Sequence, residues 1–570
     1  MLWIIVARRV NMREVIMATL LVAASVCADN SKLSNETGQA APVCEAAEAI
    51  QVFAAADYVS EVWSADCLSG KYRNPVIHAD YSDPDVVRVG NDYYMTSSSF
   101  TCIPGLPILH SKDLVNWSLI GHALRRHPEQ RFSSPEHGNG VWAPSIRCHN
   151  GKFYIYWGDP DSGIYMVRAD SPAGPWQEPV LVLDGLGMID ACPLWDDDGK
   201  AYIVHAWAAS RCGIKSILTV REMNEEGTKA DPRGRLVFDG TLNQPTIEGP
   251  KFYKRDGFYY ILAPAGGVKA GWQLALRSKN VLGPYETKIV LEQGDTPVNG
   301  PHQGGWVQTP EGESWFMHFQ DLGAYGRVVH LQPVEWIDDW PMMGRKDERG
   351  RQVPVLSFRK PVATGPEQVA SPVESDEFDS GEPGLQWQWM ANPEESWYEL
   401  DTPGGCLRLN AEQLSAQDSR LWNAGNLLMQ KFPAPSFTAR TKLTLLAGSG
   451  VKSGLIIAGM DYSCVYLCRK GASFELVRLE CERADKGGRE TVTARQPFAG
   501  DTVYLEVSVE GPDAICRFRY SSDGHIYHPI GDSFKAREGK WIGAKVGIFC
   551  VKNEAEGTGS ADFDWFRVEK

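Results

Sequence analysis

The sequence has little positive charge for its length of 570 residues: 57 Lys and Arg stand against 72 Asp and Glu, which gives a formal net charge of −15. Proteins that bind nucleic acid need basic patches to neutralise phosphates, so this deficit argues against such a partner. The 13 cysteines show no paired C-x-x-C spacing, which argues against a metal site of that kind. After the N-terminal segment, no apolar run is long enough to span a bilayer.

The composition is otherwise typical of a large globular protein that is rich in aromatic residues. Hydrophobic residues make up 43% and charged residues 23% of the chain, and the length favours two domains. Most of the 19 Trp, 20 Tyr and 20 Phe residues are expected in the core. Because flat aromatic faces also stack on sugar rings, this content gives a first indication of a carbohydrate ligand.

The N-terminus has the pattern of an export signal. Three arginines precede the apolar run VIMATLLVAASV, which is too short to cross a membrane. Small residues before Asp29 predict cleavage after residue 28, so we expect residues 1–28 to be removed and the protein to be periplasmic or secreted. A start at Met12 and lipid attachment at Cys27 are the alternatives.

Five segments of the chain share one pattern: a polar residue or alanine beside Pro or Gly, a short strand, a turn and an aromatic strand. They read SDPDVVRVGNDYYMTSS, WAPSIRCHNGKFYIYWG, DACPLWDDDGKAYIVHAW, EGPKFYKRDGFYYILAP and HQGGWVQTPEGESWFMHF. Their lead residues, spaced by 60, 47, 58 and 54 positions, are Asp83, Ala143, Asp190, Glu248 and His302. Such periods are typical of four-stranded blades, so the repeats predict a five-bladed β-propeller.

The lead residues of a propeller's repeats carry a functional implication. The innermost strands of the blades surround the central axis, so equivalent positions converge there. Asp83, Asp190 and Glu248 would therefore meet in one funnel. Like charges at close range raise each other's pKa, and structure alone gives no reason to gather them. The arrangement indicates catalysis.

The periodicity stops after WIDDWPMMG, and a different domain follows a polar, proline-containing linker. Alternating strands such as TARTKLTLLAG and TVYLEVSVEG predict a β-sandwich. We therefore expect an all-β protein with a signal peptide (1–28), a leader segment (29–72), a catalytic propeller (73–360), a linker (361–374) and a C-terminal β-sandwich (375–570).

Glycoside hydrolysis is the chemistry that uses such carboxylates. One carboxylic acid protonates the leaving oxygen, and a second carboxylate activates water or attacks the sugar. The acid needs a raised pKa to hold its proton at neutral pH, and a third carboxylate nearby can raise that pKa by repulsion.

The motifs NPVIHADYSDPDVVRVGNDYYM, VWAPSIR, IDACPLWDDDGKAY, IEGPKFYKRDGFYYIL and HQGG, in this order, resemble glycoside hydrolase family 43. The resemblance is to its β-xylosidase and α-L-arabinofuranosidase branch, which carries a lectin-like, concanavalin-type C-terminal sandwich, and it runs from Asn74 to Lys570. It implies that Asp83 is the general base, Glu248 the general acid and Asp190 the carboxylate that orients the acid and tunes its pKa. It also implies inversion, with base and acid about 6.5–9.5 Å apart.

The resemblance implies further site residues. His302 matches a histidine near the funnel axis, where relatives hold a calcium ion or a water cluster. Arg327 resembles an arginine that contacts the hydroxyls of the bound sugar, and Trp142 and Phe100 resemble aromatic residues that line the sugar pocket. The chemistry needs no cofactor, while a structural calcium ion is allowed, also near Asp562 or Asp564.

Each of these residues could instead have a structural role, or a neighbouring residue could have the role assigned to it. Asp80 or Asp85 could be mistaken for the base, because both flank Asp83. Arg327 could form a structural ion pair, His302 could be a satisfied core histidine, and Trp142 could only pack between blades. For the tryptophans that begin the sandwich, packing is expected over sugar binding; they are Trp387, Trp389 and Trp397.

The expected function is an exo-acting, inverting β-xylosidase that releases xylose from the non-reducing ends of xylo-oligosaccharides or xylan, with an arabinoxylan-type partner. The alternatives are an α-L-arabinofuranosidase that removes arabinose side chains, an enzyme with both activities, and a non-catalytic carbohydrate-binding propeller. Fructan-cleaving propellers are disfavoured because their Asn-Asp-Pro-Asn-Gly opening is missing. The loop TCIPGLP lacks the bulkier aromatics of xylosidase-type relatives, which leaves the sugar open. The oligomeric state is also open.

Overall fold

The structure, a computed structural model, describes residues 58–362, 369–400, 405–553 and 558–570. The expected signal peptide, Cys27 and most of the leader segment lie outside these residues. Within the described ranges no helix has the length and apolarity needed to cross a membrane. Helices are short there: α1 (Ala209–Cys212) and 3-10 turns at Gln130–Ser133, Gly323–Tyr325, Glu395–Trp397, Leu421–Asn423 and Ala484–Lys486.

Five antiparallel sheets of four strands follow a first short strand, β1 (Lys71–Arg73), and in each sheet the strands pair in chain order. Blade 1 contains β2 (Asp85–Val89), β3 (Asp92–Thr96), β4 (Gly105–Ser111) and β5 (Ser118–Leu124). Blade 2 contains β6 (Trp142–His149), β7 (Lys152–Asp159), β8 (Gly163–Ala169) and β9 (Val180–Asp184). Blade 3 contains β10 (Met188–Trp195), β11 (Ala201–Trp207), β12 (Ile217–Met223) and β13 (Arg235–Asp239).

Blade 4 contains β14 (Lys251–Arg255), β15 (Phe258–Ala265), β16 (Trp272–Ser278) and β17 (Glu286–Glu292). Blade 5 contains β18 (His302–Gln308), β19 (Ser314–Asp321), β20 (Arg327–Ile337) and β21 (Trp340–Met343). The hairpin turns predicted from sequence supply the needed backbone: Asn150 and Gly151 both have positive φ, 48° and 72°, as a two-residue hairpin turn requires. The five-bladed propeller predicted from the repeats is confirmed.

The ring is closed by chain segments on either side of the blades. Short strands β22 (Arg345–Lys346), β23 (Gln352–Val353) and β24 (Ser357–Arg359) follow blade 5, and β24 pairs with β1. The Asn74 side chain donates to the carbonyls of Leu331 (2.9 Å) and Val355 (2.8 Å) and accepts from the Leu331 N–H. The chain just after the expected leader is therefore tied to the last blade.

The start of each innermost strand contains one residue in the left-handed region of φ. These residues are Asp83 (54°), Ala143 (33°), Asp190 (59°), Gly249 (60°) and Gln303 (38°). Strand registers shift at three of these points, between Trp142 and Ser145, Ile189 and Cys192, and His302 and Gly304, as β-bulges do. The equivalent positions in blades 4 and 5 are thus Gly249 and Gln303, and the sequence alignment that used Glu248 and His302 was one residue early.

Buried charged side chains lie further along the innermost strands, just after the residues with positive φ. Asp85 is fully buried, and its Oδ2 accepts hydrogen bonds from Arg147 Nη1 (2.6 Å) and from the Ile146 N–H (2.9 Å). Lys251, also fully buried, donates to the carbonyl of Pro144 (2.6 Å). Asp85 is therefore occupied in holding blades 1 and 2 together, which makes it a poor candidate for the base.

The C-terminal domain consists of two packed sheets. The strands of the first sheet are β25 (Gln388–Trp389), β28 (Glu412–Gln413), β29 (Leu428–Lys431), β31 (Val451–Ala458), β32 (Tyr462–Lys470), β33 (Ser473–Cys481), β34 (Glu490–Phe498) and β39 (Lys545–Lys552). They pair in the order β25-β29-β39-β31-β32-β33-β34, and β28 pairs with β39. The strands of the second sheet are β26 (Tyr398–Glu399), β27 (Leu407–Asn410), β30 (Phe437–Ala447), β35 (Thr502–Glu510), β36 (Ile515–Ser521), β37 (His528–Pro529), β38 (Phe534–Lys535) and β40 (Gly559–Glu569). They pair in the order β26-β27-β40-β30-β35-β36-β37, and β38 pairs with β36. This is the predicted sandwich.

The sandwich docks directly on the propeller. Trp389 exchanges backbone hydrogen bonds with Ile103, and the Asn392 side chain bonds both backbone groups of His127. The three tryptophans expected to pack are buried in the sandwich core, as predicted: Trp387, Trp389 and Trp397. A loop of the second domain can therefore reach the propeller funnel.

The buried ion pair of Asp85 predicts a large stability effect. Asp85→Ala leaves the Arg147 guanidinium buried without its carboxylate, which typically costs about 3–5 kcal/mol. We expect a clear loss of unfolding free energy in thermal or urea denaturation. The exposed Lys152–Asp170 pair is the control, and Asp170→Ala should change little. Equal effects of the two substitutions would contradict the assignment.

Candidate active site

The three acidic residues predicted to converge line one pocket on the propeller axis. The residues that line the pocket are Asp83, Trp142, Ala143, Ile189, Asp190, Glu248, Val268, Gln303, Arg327 and Trp541. Blades 1, 3 and 4 contribute one carboxylate each, as the repeat analysis predicted.

Asp83 is held on both sides by hydrogen-bond donors. Ser98 Oγ donates to Asp83 Oδ2 at 2.6 Å, and Ser98 Oγ in turn accepts the Ala143 N–H at 2.8 Å. Arg327 Nη1 lies 3.3 Å from each oxygen of the Asp83 carboxylate. The carboxylate is thus fixed at the pocket wall in an orientation where it can accept a proton from a bound water molecule.

Glu248 is the carboxylate with the greatest solvent access. Its side chain is 29% exposed, whereas the His302 side chain beside it is fully buried. Glu248 Oε1 lies 3.4 Å from His302 Nε2, and the Glu248 N–H donates to the Pro264 carbonyl at 3.1 Å. This position at the open side of the pocket is suited to a proton donor that must reach a leaving group.

Asp190 is buried and interacts with the backbone beside Glu248. Its Oδ2 accepts the Gly249 N–H at 2.7 Å. Burial, followed by the negative charge of Glu248 and then that of Asp83, raises the pKa of Asp190 well above its usual value. Asp190 therefore retains its proton at a pH where an isolated carboxyl group would have lost it.

Gly249 and Gln303 fit against each other next to these carboxylates. A Cβ atom on Gly249 would lie 2.5 Å from Gln303 Cδ, and φ of Gly249 is +60°, so only glycine is accommodated. Gln303 lines the pocket, and the sequence analysis did not assign it. The HQGG motif was a signal for it, but the one-residue error in alignment directed attention to His302.

Two of the three residues predicted to contact the sugar line the pocket, and the third does not. Arg327 and Trp142 line the pocket as expected, and the Trp142 Nε1–H donates to the Gly138 carbonyl at 2.9 Å. Phe100 does not line it: the side chain is buried, with its ring centroid 6.2 Å from that of Trp142. Phe100 packs edge to face against the Trp142 ring.

The calcium expectations have little support from side chains. Calcium prefers six to eight oxygen ligands, and the described residues include no cluster of three or more His, Cys, Asp or Glu side chains placed to hold a metal. Asp562 pairs with Arg408 and Asp564 with Lys442, so both carboxylates have cationic partners. His302 Nδ1 has no hydrogen-bond partner. One nitrogen ligand does not make a calcium set, and the chemistry below uses no metal.

Trp541 is the pocket residue that sequence reasoning missed most clearly. It belongs to the sandwich, yet it lines the pocket with its ring centroid 6.0 Å from that of Trp142. Its φ of 70° lies in the left-handed region, which is unfavourable for a residue with a large side chain. A glycine-flanked tryptophan in EGKWIGA was a weak signal, because nothing local indicates a contact with another domain.

The raised pKa of Asp190 predicts a pH-dependent stability. A group whose pKa is higher in the folded state stabilises the fold at low pH and loses that contribution as the pH rises. Asp190→Asn removes the ionisation and keeps an acceptor for the Gly249 N–H. We expect the variant to gain stability relative to wild type as the pH rises from 4 to 8, measured as Tm.

Asp523 provides the control of opposite sign. Backbone N–H groups of Ile526 and His525 lower its pKa to about 2, so Asp523→Asn should lose stability relative to wild type as the pH rises from 2 to 4, and the two curves should stay parallel from pH 4 to 8. Parallel Tm curves for wild type and Asp190→Asn would show that Asp190 is not held in its protonated form by the fold.

Comparisons with known proteins agree with this geometry. The family described as "Glycosyl hydrolases family 43" matches residues 72–341, and the "Beta xylosidase C-terminal Concanavalin A-like domain" matches residues 375–569. A protein of Xylanibacter ruminicola is 39% identical over 85% of this chain and 88% of its own. A "Beta-xylosidase" of Formosa agariphila is 32% identical, with 97% of each chain covered. A "Non-reducing end alpha-L-arabinofuranosidase" of Bacteroides ovatus is 30% identical over 87% of this chain and 94% of its own.

Solved structures have the same two-domain arrangement. The crystal structure of a GH43 protein from Bacillus licheniformis matches with a TM-score of 0.75 and 28% identity, covering 88% of this chain and 99% of that one. The crystal structure of a xylan beta-1,4-xylosidase from Bacillus halodurans matches with a TM-score of 0.76 and 25% identity, covering 87% and 100%.

Proposed function

The chain belongs to glycosyl hydrolase family 43, and from this premise we propose that it is an exo-acting, inverting β-xylosidase. It is a glycoside hydrolase, and its proposed reaction releases xylose from the non-reducing ends of xylo-oligosaccharides or xylan. The observation that carries the proposal is the meeting of Asp83, Asp190 and Glu248 in one pocket that Trp541 helps to wall.

The proposed roles follow from the surroundings of each carboxylate. Asp83, fixed by Ser98 and Arg327, accepts a proton from the water that attacks the anomeric carbon. Glu248, which has access to the open side, donates a proton to the glycosidic oxygen as its bond to that carbon breaks. Attack and departure on opposite faces invert the anomeric centre.

Asp190 acts on Glu248 in this proposal and does not touch the reacting bond. Burial and the charge of Glu248 raise the pKa of Asp190 itself, so Asp190 holds its proton beside the acid. Its hydrogen bond to the Gly249 N–H also fixes the backbone beside Glu248. This fixed orientation supports the positioning role that the resemblance assigned to the third carboxylate.

The exo action is supported by the walls of the pocket. Trp142 and Trp541 stand on its rim, and an aromatic face there can pack on a single sugar ring. A second, open pocket adjoins it and shares Val268, Arg327 and Trp541 as lining. This space is suited to the remainder of an oligosaccharide, so one terminal sugar would occupy the inner pocket.

An α-L-arabinofuranosidase, or an enzyme with both activities, is the second candidate. The similarity to the Bacteroides ovatus arabinofuranosidase favours it, since that relative aligns over most of both chains. Xylose and arabinofuranose present similar hydroxyl geometry to one pocket. We propose that the natural substrate is an arabinoxylan-type polysaccharide. We also propose that the protein is exported and acts on this substrate in the periplasm or outside the cell.

The roles of the two reacting carboxylates predict specific kinetic losses. Glu248→Gln and Asp83→Asn each remove a proton-transfer group, so kcat should fall about 10²–10⁴-fold in both variants. Tm should change little in Glu248→Gln and should fall in Asp83→Asn, because the buried Arg327 guanidinium loses its carboxylate. The matched control is Glu335→Gln, an exposed residue of blade 5, which should keep full activity. Proton NMR of the first product should show the inverted anomer; a retained anomer would reject the assigned roles.

The rim position of Trp541 predicts an effect on substrate binding. Trp541→Ala removes a large aromatic contact, so KM should rise about tenfold or more, and Trp541→Phe should restore most of it. Both variants should be measured on paired nitrophenyl β-xyloside and α-L-arabinofuranoside substrates. The ratio of kcat/KM values for the wild type decides between the two candidate functions, and an unchanged KM in Trp541→Ala would exclude the rim contact.

A further inference from the structure

Asp80 is a buried carboxylate that the proposed chemistry does not use. It lies three residues before Asp83, is only 5% exposed, and forms no salt bridge in the described part of the chain. Both of its oxygens instead accept backbone N–H groups from distant segments. A buried carboxylate is costly unless charge and hydrogen bonds compensate it, and Asp80 has the electrostatic interaction with Lys431 and these hydrogen bonds.

One oxygen of Asp80 fixes the backbone of Arg327. Asp80 Oδ1 accepts the Arg327 N–H at 2.9 Å, and the next residue, Tyr81, donates its N–H to the Arg327 carbonyl at 3.2 Å. Residues 80 and 81 thus bond both backbone groups of the arginine whose guanidinium contacts Asp83. The placement of that guanidinium depends on this clamp.

The other oxygen of Asp80 reaches the sandwich. Asp80 Oδ2 accepts the Gly543 N–H at 3.0 Å, across 463 positions of sequence. A Cβ atom on Gly543 would lie 2.7 Å from the Gly326 nitrogen, and one on Gly326 would lie 2.5 Å from Asp80 Cγ. The Ala544 N–H donates to the Ala324 carbonyl at 2.8 Å beside this contact. Two glycines therefore allow the segments of the two domains to meet at Asp80.

Trp541 lies two residues before the segment that Asp80 holds. Its left-handed backbone conformation is unfavourable for a residue other than glycine, so the surrounding structure must maintain it. The bond from Gly543 to Asp80 and the bond from Ala544 to Ala324 anchor the chain just beyond it. Loss of the anchor would release the tryptophan from the pocket rim.

We propose that Asp80 is a positioning residue that fixes Arg327 and the Trp541 loop relative to each other, and so couples the sandwich to the catalytic pocket. This inference rests on the proposed function. A carboxylate suits the task because both of its oxygens accept hydrogen bonds, whereas an amide offers one acceptor and turns a donor toward the second N–H. Asp80→Asn is therefore a change of near-equal shape that breaks one of the two bonds.

The experiment compares Asp80→Asn with Asp113→Asn in the full-length protein. Asp113 is buried to a similar degree, and its Oδ1 accepts two backbone N–H groups, from Val115 (2.9 Å) and Asn116 (2.8 Å), but it lies outside the pocket. We expect Asp80→Asn to lower kcat/KM on the nitrophenyl substrate about 10–100-fold, with KM raised. Asp113→Asn should lower Tm and leave both kinetic constants of the folded enzyme unchanged.

A double-mutant cycle shows whether Asp80 acts through the tryptophan. Trp541→Ala should raise KM less in the Asp80→Asn background than in wild type, because the loop is already displaced. Additive effects on KM would overturn the coupling. Equal kinetic losses in Asp80→Asn and Asp113→Asn would show a structural role alone and would overturn it as well.

Hydrogen exchange provides a readout that does not need activity. Peptides covering residues 538–544 should exchange faster in Asp80→Asn than in wild type, and at the wild-type rate in Asp113→Asn. Unchanged exchange in Asp80→Asn would overturn the inference even in an active enzyme. A wild-type protein inactive on both nitrophenyl sugars would refute the proposed function, and the exchange comparison would still decide whether Asp80 holds the loop.

Discussion

The left-handed residue at the start of each innermost strand is the constraint on which the active site depends. At Asp83 and Asp190 this conformation is unfavourable by about 1–2 kcal/mol each, since neither is glycine. The carboxylates themselves stabilise it, because each accepts a short hydrogen bond from a neighbouring blade or loop: Ser98 Oγ for Asp83 and the Gly249 N–H for Asp190. The groups that serve the chemistry are thus also the groups that maintain the backbone which presents them.

Gathering three carboxylates is electrostatically unfavourable, and the structure offsets this from two directions. Within the pocket, the Arg327 guanidinium lies against Asp83. Farther along the innermost strands, the buried cations of Arg147 and Lys251 outnumber the single carboxylate of Asp85, and Lys251 acts to lower the pKa of Asp190. The repulsion that remains raises the pKa of Asp190, which lies beside the proposed acid Glu248.

Much of the fold could be predicted from the sequence because a propeller is periodic. Repeated hairpins indicated five blades, and the carboxylates at their starts indicated the pocket. The alignment of Glu248 and His302 was displaced by one residue, because a bulge changes the register without leaving a compositional mark. Trp541 could not be assigned, because its contact with the pocket is made between two domains. Phe100 was predicted to line the pocket, because its burial against Trp142 depends on tertiary packing that the sequence does not reveal.

A crystal structure of the Glu248→Gln enzyme with a bound xylo-oligosaccharide tests the central claim most directly, that blades 1 and 4 place Asp83 and Glu248 on opposite faces of one terminal sugar. The account predicts the glycosidic oxygen within hydrogen-bond distance of residue 248. It also predicts a water molecule that bonds Asp83 on the other face of the ring, and Trp541 against the sugar. A sugar bound away from these residues, or Asp83 and residue 248 on the same face of the ring, would contradict it.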